Sequence, residues 1–131
     1  MIIKLIRHGQ SLSNTGVVKP HEVGDAYIAL SELSKHQARS AGMQVGNEFI
    51  GRSLRYCSPY TRRRETLAEI FIGAGMAEGL KIYEDPRLRE VERGYQDDEA
   101  QHEIRKVHGW FYHRHDGGKS PFDCMIGLRH F

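Results

Sequence analysis

The chain begins Met1-Ile2-Ile3-Lys4-Leu5-Ile6, and this apolar run ends abruptly at Arg7-His8-Gly9-Gln10-Ser11. A short run rich in β-branched residues and bounded by glycine reads as a buried strand. That reading puts an Arg and a His where a central strand gives way to a loop. In open α/β sheets, ligands bind at the carboxyl ends of the strands. A guanidinium grips an oxyanion with a planar fork of donors. A neutral imidazole beside it can attack phosphorus and hold the group covalently. Taken alone, the motif also fits a strand end with a surface Arg and a loop His.

The rest of the chain continues the alternation that such a strand requires. Ser11 to about Ala29 is a polar loop containing Gly and Pro. Leu30-Ser31 opens a helix through Gln37, Ala38, Ala41 and Val45, with Ser31 as N-cap and Gly46 or Gly51 as its stop. Ser53 to Cys57 reads as a second strand, and Ser58-Pro59 starts a second helix with Leu67, Ile70 and Phe71 on its apolar face. Leu80 to Tyr83 reads as a third strand and Glu99 to Phe111 as a helix, with Ile104, Val107 and Trp110 on one face. Strand and helix in alternation give an α/β fold, and 131 residues suffice for a single domain. The +2 net charge is no nucleic-acid footprint. No apolar run is long enough to cross a membrane. The start of the chain lacks the pattern of a secretion signal. Cys57 and Cys124 lack metal-ligand spacing, and Cys57 reads as a buried thiol, so a reducing cytoplasm is expected.

Two more clusters carry chemistry. Ser58 and Arg62 stand four apart directly after the second strand, which on a helix would give them one face. The following Arg63 and Arg64 fit a solvated basic turn. Leu88-Arg89-Glu90 with Gly94 sets a carboxylate after the third strand. Alone, Glu90 reads as a salt-bridged surface residue; in a phosphate site it could hold a proton near neutral pH. His108, His113, His115 and Asp116 do not follow ordinary zinc spacing. Glu103, beside His102 and Arg105, reads as part of an exposed helix face.

In order, Arg7-His8-Gly9, Ser58 to Arg62 followed by Glu65-Thr66, and Leu88 to Glu90 with Gly94 resemble the signatures of the histidine phosphatase superfamily. That superfamily includes the cofactor-dependent phosphoglycerate mutases. The resemblance runs from Met1 to about Asp123. It implies a three-layer α/β/α sandwich of the phosphoglycerate mutase type, here a single incomplete domain over residues 1–131 lacking the C-terminal strand and helix. It also implies phosphoryl transfer through phosphohistidine. His8 is the nucleophile, Arg7 and Arg62 bind the phosphoryl oxygens, and Glu90 serves the leaving oxygen as acid. Asn14 and Ser58 match substrate-binding positions. No metal and no organic cofactor are required, and the partner is phosphate or a phosphorylated small molecule. A phosphomonoesterase is favoured because the long insertions of dedicated mutases are missing and the helical segment before Gly117 looks phosphatase-like. A mutase-type transfer and an inactive phosphate-binding fragment are the alternatives.

The ending departs from the family pattern. A later strand carrying a second His in a His-Gly pair is expected and does not follow; His130 precedes Phe131. Lys119 stands where the family's Gly-Glu-Ser turn has Glu. The stretch Met125 to Phe131 has little helical pattern. Read from the last base of the Cys124 codon, its codons can spell Tyr-Asp-Arg-Val, two small residues and Phe, the family's helix start. A one-base deletion near codon 124 is therefore expected. Loss of an interior strand leaves backbone groups unpaired, with rescue by re-pairing or by a strand-exchanged homo-oligomer.

Overall fold

Between the His8 segment and the first long helix, the chain closes a loop on itself. Ser11 and Leu30 form an antiparallel bridge, and Ser31 N–H donates to the Gln10 carbonyl at 3.0 Å. The loop carries helix α1 (Pro20–Val23) and a 3₁₀ turn (Asp25–Tyr27). The computed structural model describes residues 1–76, 80–92, 94 and 98–130. Helix α2 (Glu32–Val45) starts where expected. Ser31 Oγ accepts from Ser34 N–H, and Gly46, at φ 80°, ends the helix. After α3 (Asn47–Arg52) come strand β1 (Tyr56–Cys57), helix α4 (Thr61–Gly73) and strand β2 (Tyr83–Glu84). A second 3₁₀ turn (Pro86–Leu88), α5 (Asp98–His108) and α6 (Pro121–Arg129) complete the order.

The fold is α/β and rich in helix, with a small parallel sheet. Strands β1 and β2 pair in register, Tyr56 with Tyr83 and Cys57 with Glu84. The core lies between α2, α3 and α4, where Ala38, Ile50 and Ile70 are buried under Val45, Phe71, Met76 and Leu80. Two glycines let α2 and α4 meet backbone to backbone. A Cβ on Gly42 would stand 2.1 Å from the Ile70 carbonyl oxygen, and one on Gly73 would stand 1.9 Å from that of Arg39. Arg39 and Glu69 tie the same two helices by an ion pair. Glu65 of α4 accepts from Leu30 N–H at 2.7 Å, which fastens the long loop to the helix.

Several expectations are corrected. Residues 1–6 are not a buried strand: the segment has no regular secondary structure, and Met1, Ile2, Ile3, Leu5 and Ile6 are exposed. A strand is made by its neighbours, and among the described residues no strand pairs with this one. Lys4 holds it instead, donating to the Val45 carbonyl at 3.4 Å and lying 4.2 Å over the Phe49 ring. The other two strands are shorter than expected. Helix α4 begins at Thr61 with Tyr60 as N-cap, so Ser58 lies before the helix and shares no helical face with Arg62. Helix α5 stops at His108, short of Phe111, and Ile104, Val107 and Trp110 are exposed. The tail is helical after all. A capping box between Ser120 and Asp123, with Pro121 in the first turn, nucleates α6 without an apolar stripe.

Candidate active site

His8 is held through both ring nitrogens. Its Nδ1 lies 2.7 Å from the Gly9 carbonyl oxygen. A carbonyl can only accept, so in the neutral ring Nδ1 carries the proton and Nε2 keeps its lone pair. Arg62 Nε–H donates to that Nε2 at 3.3 Å. Burial lowers the His8 pKa from the ordinary 6.5, and the Arg62 and Arg63 charges add to the fall against the opposing Gly9 bond. The result is a neutral imidazole at pH 7 whose Nε2 lone pair faces Arg62. Gly9 is dictated by contact with α2, since a Cβ there would come within 2.6 Å of Ser34 Oγ.

Arg62 is buried in the first turn of α4 and uses every donor it has. Its Nη1 donates to the Asp25 backbone carbonyl at 2.6 Å and lies 3.0 Å from Asp25 Oδ1. Its Nη2 reaches Asp25 Oδ2 at 3.3 Å and Glu90 Oε2 at 3.5 Å. Glu90 Oε2 also accepts from Arg63 Nη2 at 2.8 Å. Both guanidinium groups lie about 5 Å from the ring centre of the buried Tyr60, 5.0 Å for Arg62 and 5.1 Å for Arg63. Burial alone would raise the Glu90 pKa, but the Arg63 and Arg62 charges outweigh it and hold the carboxyl below its ordinary 4.5. Without a bound anion, Glu90 is therefore a carboxylate (an acid only once an oxyanion offsets the arginines).

His8, Arg62 and Glu90 thus meet in one cluster. Arg7 does not join it: the residue is exposed and makes no hydrogen bond or ion pair among the described residues. Asn14 braces the loop, its Oδ1 accepting from Ser11 N–H and Ser11 Oγ–H at 3.0 Å each. Ser58 is buried beside the cluster, with Oγ 3.5 Å from Arg63 Nη1. Two contributors escaped the sequence reading. Arg63 is a partner of Glu90, whereas Arg64 pairs with Glu84 at the surface as a solvated residue would. Asp25 gave no motif at all, because only closure of the loop brings it to Arg62.

The remaining histidines stand apart. The His113 and His115 rings pack edge to face at 5.5 Å, and His113 Nε2 is 2.9 Å from Gln101 Oε1. Among the described residues, no three His, Cys, Asp or Glu side chains gather as a metal set. His108-Gly109 is a second His-Gly pair in the sequence, but it closes α5, with Gly109 at φ 80°, and His108 is exposed. His130 caps the end of α6, its carbonyl accepting from Arg87.

Comparison with known proteins gives this cluster its context. A sequence model of the histidine phosphatase superfamily (branch 1) matches residues 3–125. The chain is 32% identical to the phosphoglycerate mutase-like protein AT74H of Arabidopsis thaliana over 98% of its own length and 51% of that protein's. It is 30% identical to the related AT74 of the same plant, covering 98% of this chain and 44% of that one. The chain thus spans about half the length of the curated relatives it matches. Among solved structures, a mycobacterial glucosyl-3-phosphoglycerate phosphatase in complex with VO3 superposes with a TM-score of 0.66 at 26% identity, over 94% of this chain and 58% of that one. The chain belongs to branch 1 of the histidine phosphatase superfamily.

Proposed function

We propose that the cluster is a phosphoryl-transfer site, and that the chain carries the nucleophilic half of a phosphomonoester hydrolase. The observation that carries this reading is the His8 geometry: Nδ1 is bonded to the Gly9 carbonyl and Nε2 faces the Arg62 guanidinium. His8 Nε2 attacks phosphorus, the P–O bond to the leaving alkoxide breaks, and Glu90 delivers its proton to that oxygen. Water then attacks the phosphohistidine, giving its proton to Glu90 and releasing phosphate and His8. Arg62 binds the phosphoryl oxygens throughout, and Arg7, exposed at the same turn, swings in to share them. Asn14 and Ser58 line the substrate side. A phosphorylated small molecule is the substrate class, because the mycobacterial neighbour is a phosphatase of such a compound.

Mutase-type transfer is the second reading, favoured by the phosphoglycerate mutase-like names of the plant relatives. A phosphate-binding chain without turnover is the third, and it has a specific observation behind it. Among the described residues, no second imidazole reaches the cluster. Loss of one preorganised charge-stabilising donor costs about 2.7–4 kcal/mol, roughly a hundred- to thousandfold in rate. The test is hydrolysis of a generic phosphomonoester alongside phosphate-dependent protection against unfolding. The proposed enzyme turns over slowly and loses all turnover in His8→Ala. Protection by phosphate with no turnover supports the binding fragment. Neither protection nor turnover overturns the site.

A further inference from the structure

We infer that Asp25 is a positioning residue, which selects the edge of the Arg62 guanidinium offered to a phosphoryl oxyanion. The inference rests on the phosphate reading proposed above. Arg62 has one firm end and one loose edge. At the firm end, Nη1 binds the Asp25 backbone carbonyl at 2.6 Å and its carboxylate at 3.0 Å. Along the loose edge, Nε reaches His8 Nε2 at 3.3 Å and Nη2 reaches Glu90 Oε2 at 3.5 Å. An anion arriving beside His8 finds the long contacts replaceable and the short ones fixed. Burial points the same way: the Asp25 side chain is 18% exposed and that of Glu90 48%, so Glu90 is the partner that water and ligand can reach.

The backbone explains why Asp25 can hold its place. It opens a 3₁₀ turn directly after Gly24, whose φ of 81° sets the corner. The surrounding loop is closed by the Ser11–Leu30 bridge and by the Glu65 bond to Leu30 N–H. A carboxylate bound to two guanidinium nitrogens fixes the plane of the group. It also offsets the charge of an Arg that is 4% exposed. The Asp25 carboxylate also reaches Nη2, at 3.3 Å, but Nε, the nitrogen that faces His8, bonds His8 and not Asp25.

The test uses the whole chain, with orthovanadate and inorganic phosphate as probes. Asp25→Ala and Asp25→Asn are compared with wild type for oxyanion affinity by calorimetry. The Arg62 guanidinium nitrogen resonances are recorded without ligand and assigned with Arg62→Lys. In wild type those resonances should show hindered rotation about Cζ–Nε; in Asp25→Ala they should average. Vanadate affinity should fall about tenfold in Asp25→Ala, the loss of one hydrogen-bonded charge pair. It should fall less in Asp25→Asn, which keeps the shape and a side-chain oxygen to accept from Arg62, while both variants keep the backbone carbonyl. If Asp25→Ala unfolds, Asp25→Asn carries the test. Equal or tighter vanadate binding in the variants overturns the inference, as does a wild-type guanidinium that rotates freely. A wild type with a hindered guanidinium that binds neither oxyanion overturns the phosphate reading, and Asp25 then only anchors a buried arginine.

Discussion

The proton on His8 Nδ1 and the charge on its neighbours set the pH behaviour of the site. Burial and the two arginines lower the His8 pKa from 6.5, so the imidazole, the proposed nucleophile, stays neutral below that pH. The acid limb of phosphoryl transfer should therefore lie below pH 6.5, and a limb above it would contradict the neutral imidazole. The same depression is a stability statement. The unfolded chain binds the proton more readily, so the His8 contribution is complete above pH 6.5 and is lost as pH falls toward the lowered folded value. Glu90 behaves alike in a lower window, keeping its contribution above 4.5 and losing it as pH falls through its depressed value. Arg63→Ala removes the 2.8 Å partner of Glu90. It should raise the Glu90 pKa and move the alkaline limb of the rate profile upward, as read from pH–rate curves of variant and wild type. His8, Arg62 and Glu90 were legible in the sequence because each belongs to a local motif. Asp25 was not, because its contact depends on a loop folding back over the start of α4, and Arg63 was not, because Glu90 comes to it from the segment after the second 3₁₀ turn.

At the scale of elements, the junction of α2 and α4 decides whether the site exists, since α2 backs Gly9 and α4 carries Arg62 and Arg63. Gly73→Ala forces a methyl group against the Arg39 carbonyl. Such overpacking costs about 1–3 kcal/mol, to be seen as a lower urea midpoint with unchanged slope; an unchanged midpoint would mean that the helices are not so close. Ser120→Ala breaks the capping box of α6 and should cost about 0.5–2 kcal/mol, checked by the same titration. Helix α2 was readable from Ser31 and Gly46, whose capping chemistry is local. Helix α6 was missed because it rests on a cap and a proline without an amphipathic stripe; Met125, Ile126 and Leu128 remain exposed. Residues 1–6 form no strand although their residue types favour one, because pairing is a property of the neighbours.

For the whole molecule, that exposed segment has consequences. An unpaired apolar strand is a template for association. Leu5→Lys should change stability by less than about 0.5 kcal/mol, as at an exposed site, yet reduce self-association in sedimentation experiments. A loss of several kcal/mol would mean that residues 1–6 are buried in solution, through a strand-exchanged partner or otherwise. The proposed chemistry turns on His8. The most direct measurement is to incubate the chain with an activated phosphomonoester, quench at alkaline pH, where phosphohistidine survives, and locate the phosphoryl group by mass spectrometry and phosphorus NMR. The predicted result is a single phosphorylated residue, His8, modified at Nε2, and no labelling in His8→Ala. Phosphate on another residue, or an unmodified chain that still hydrolyses the ester, would contradict it.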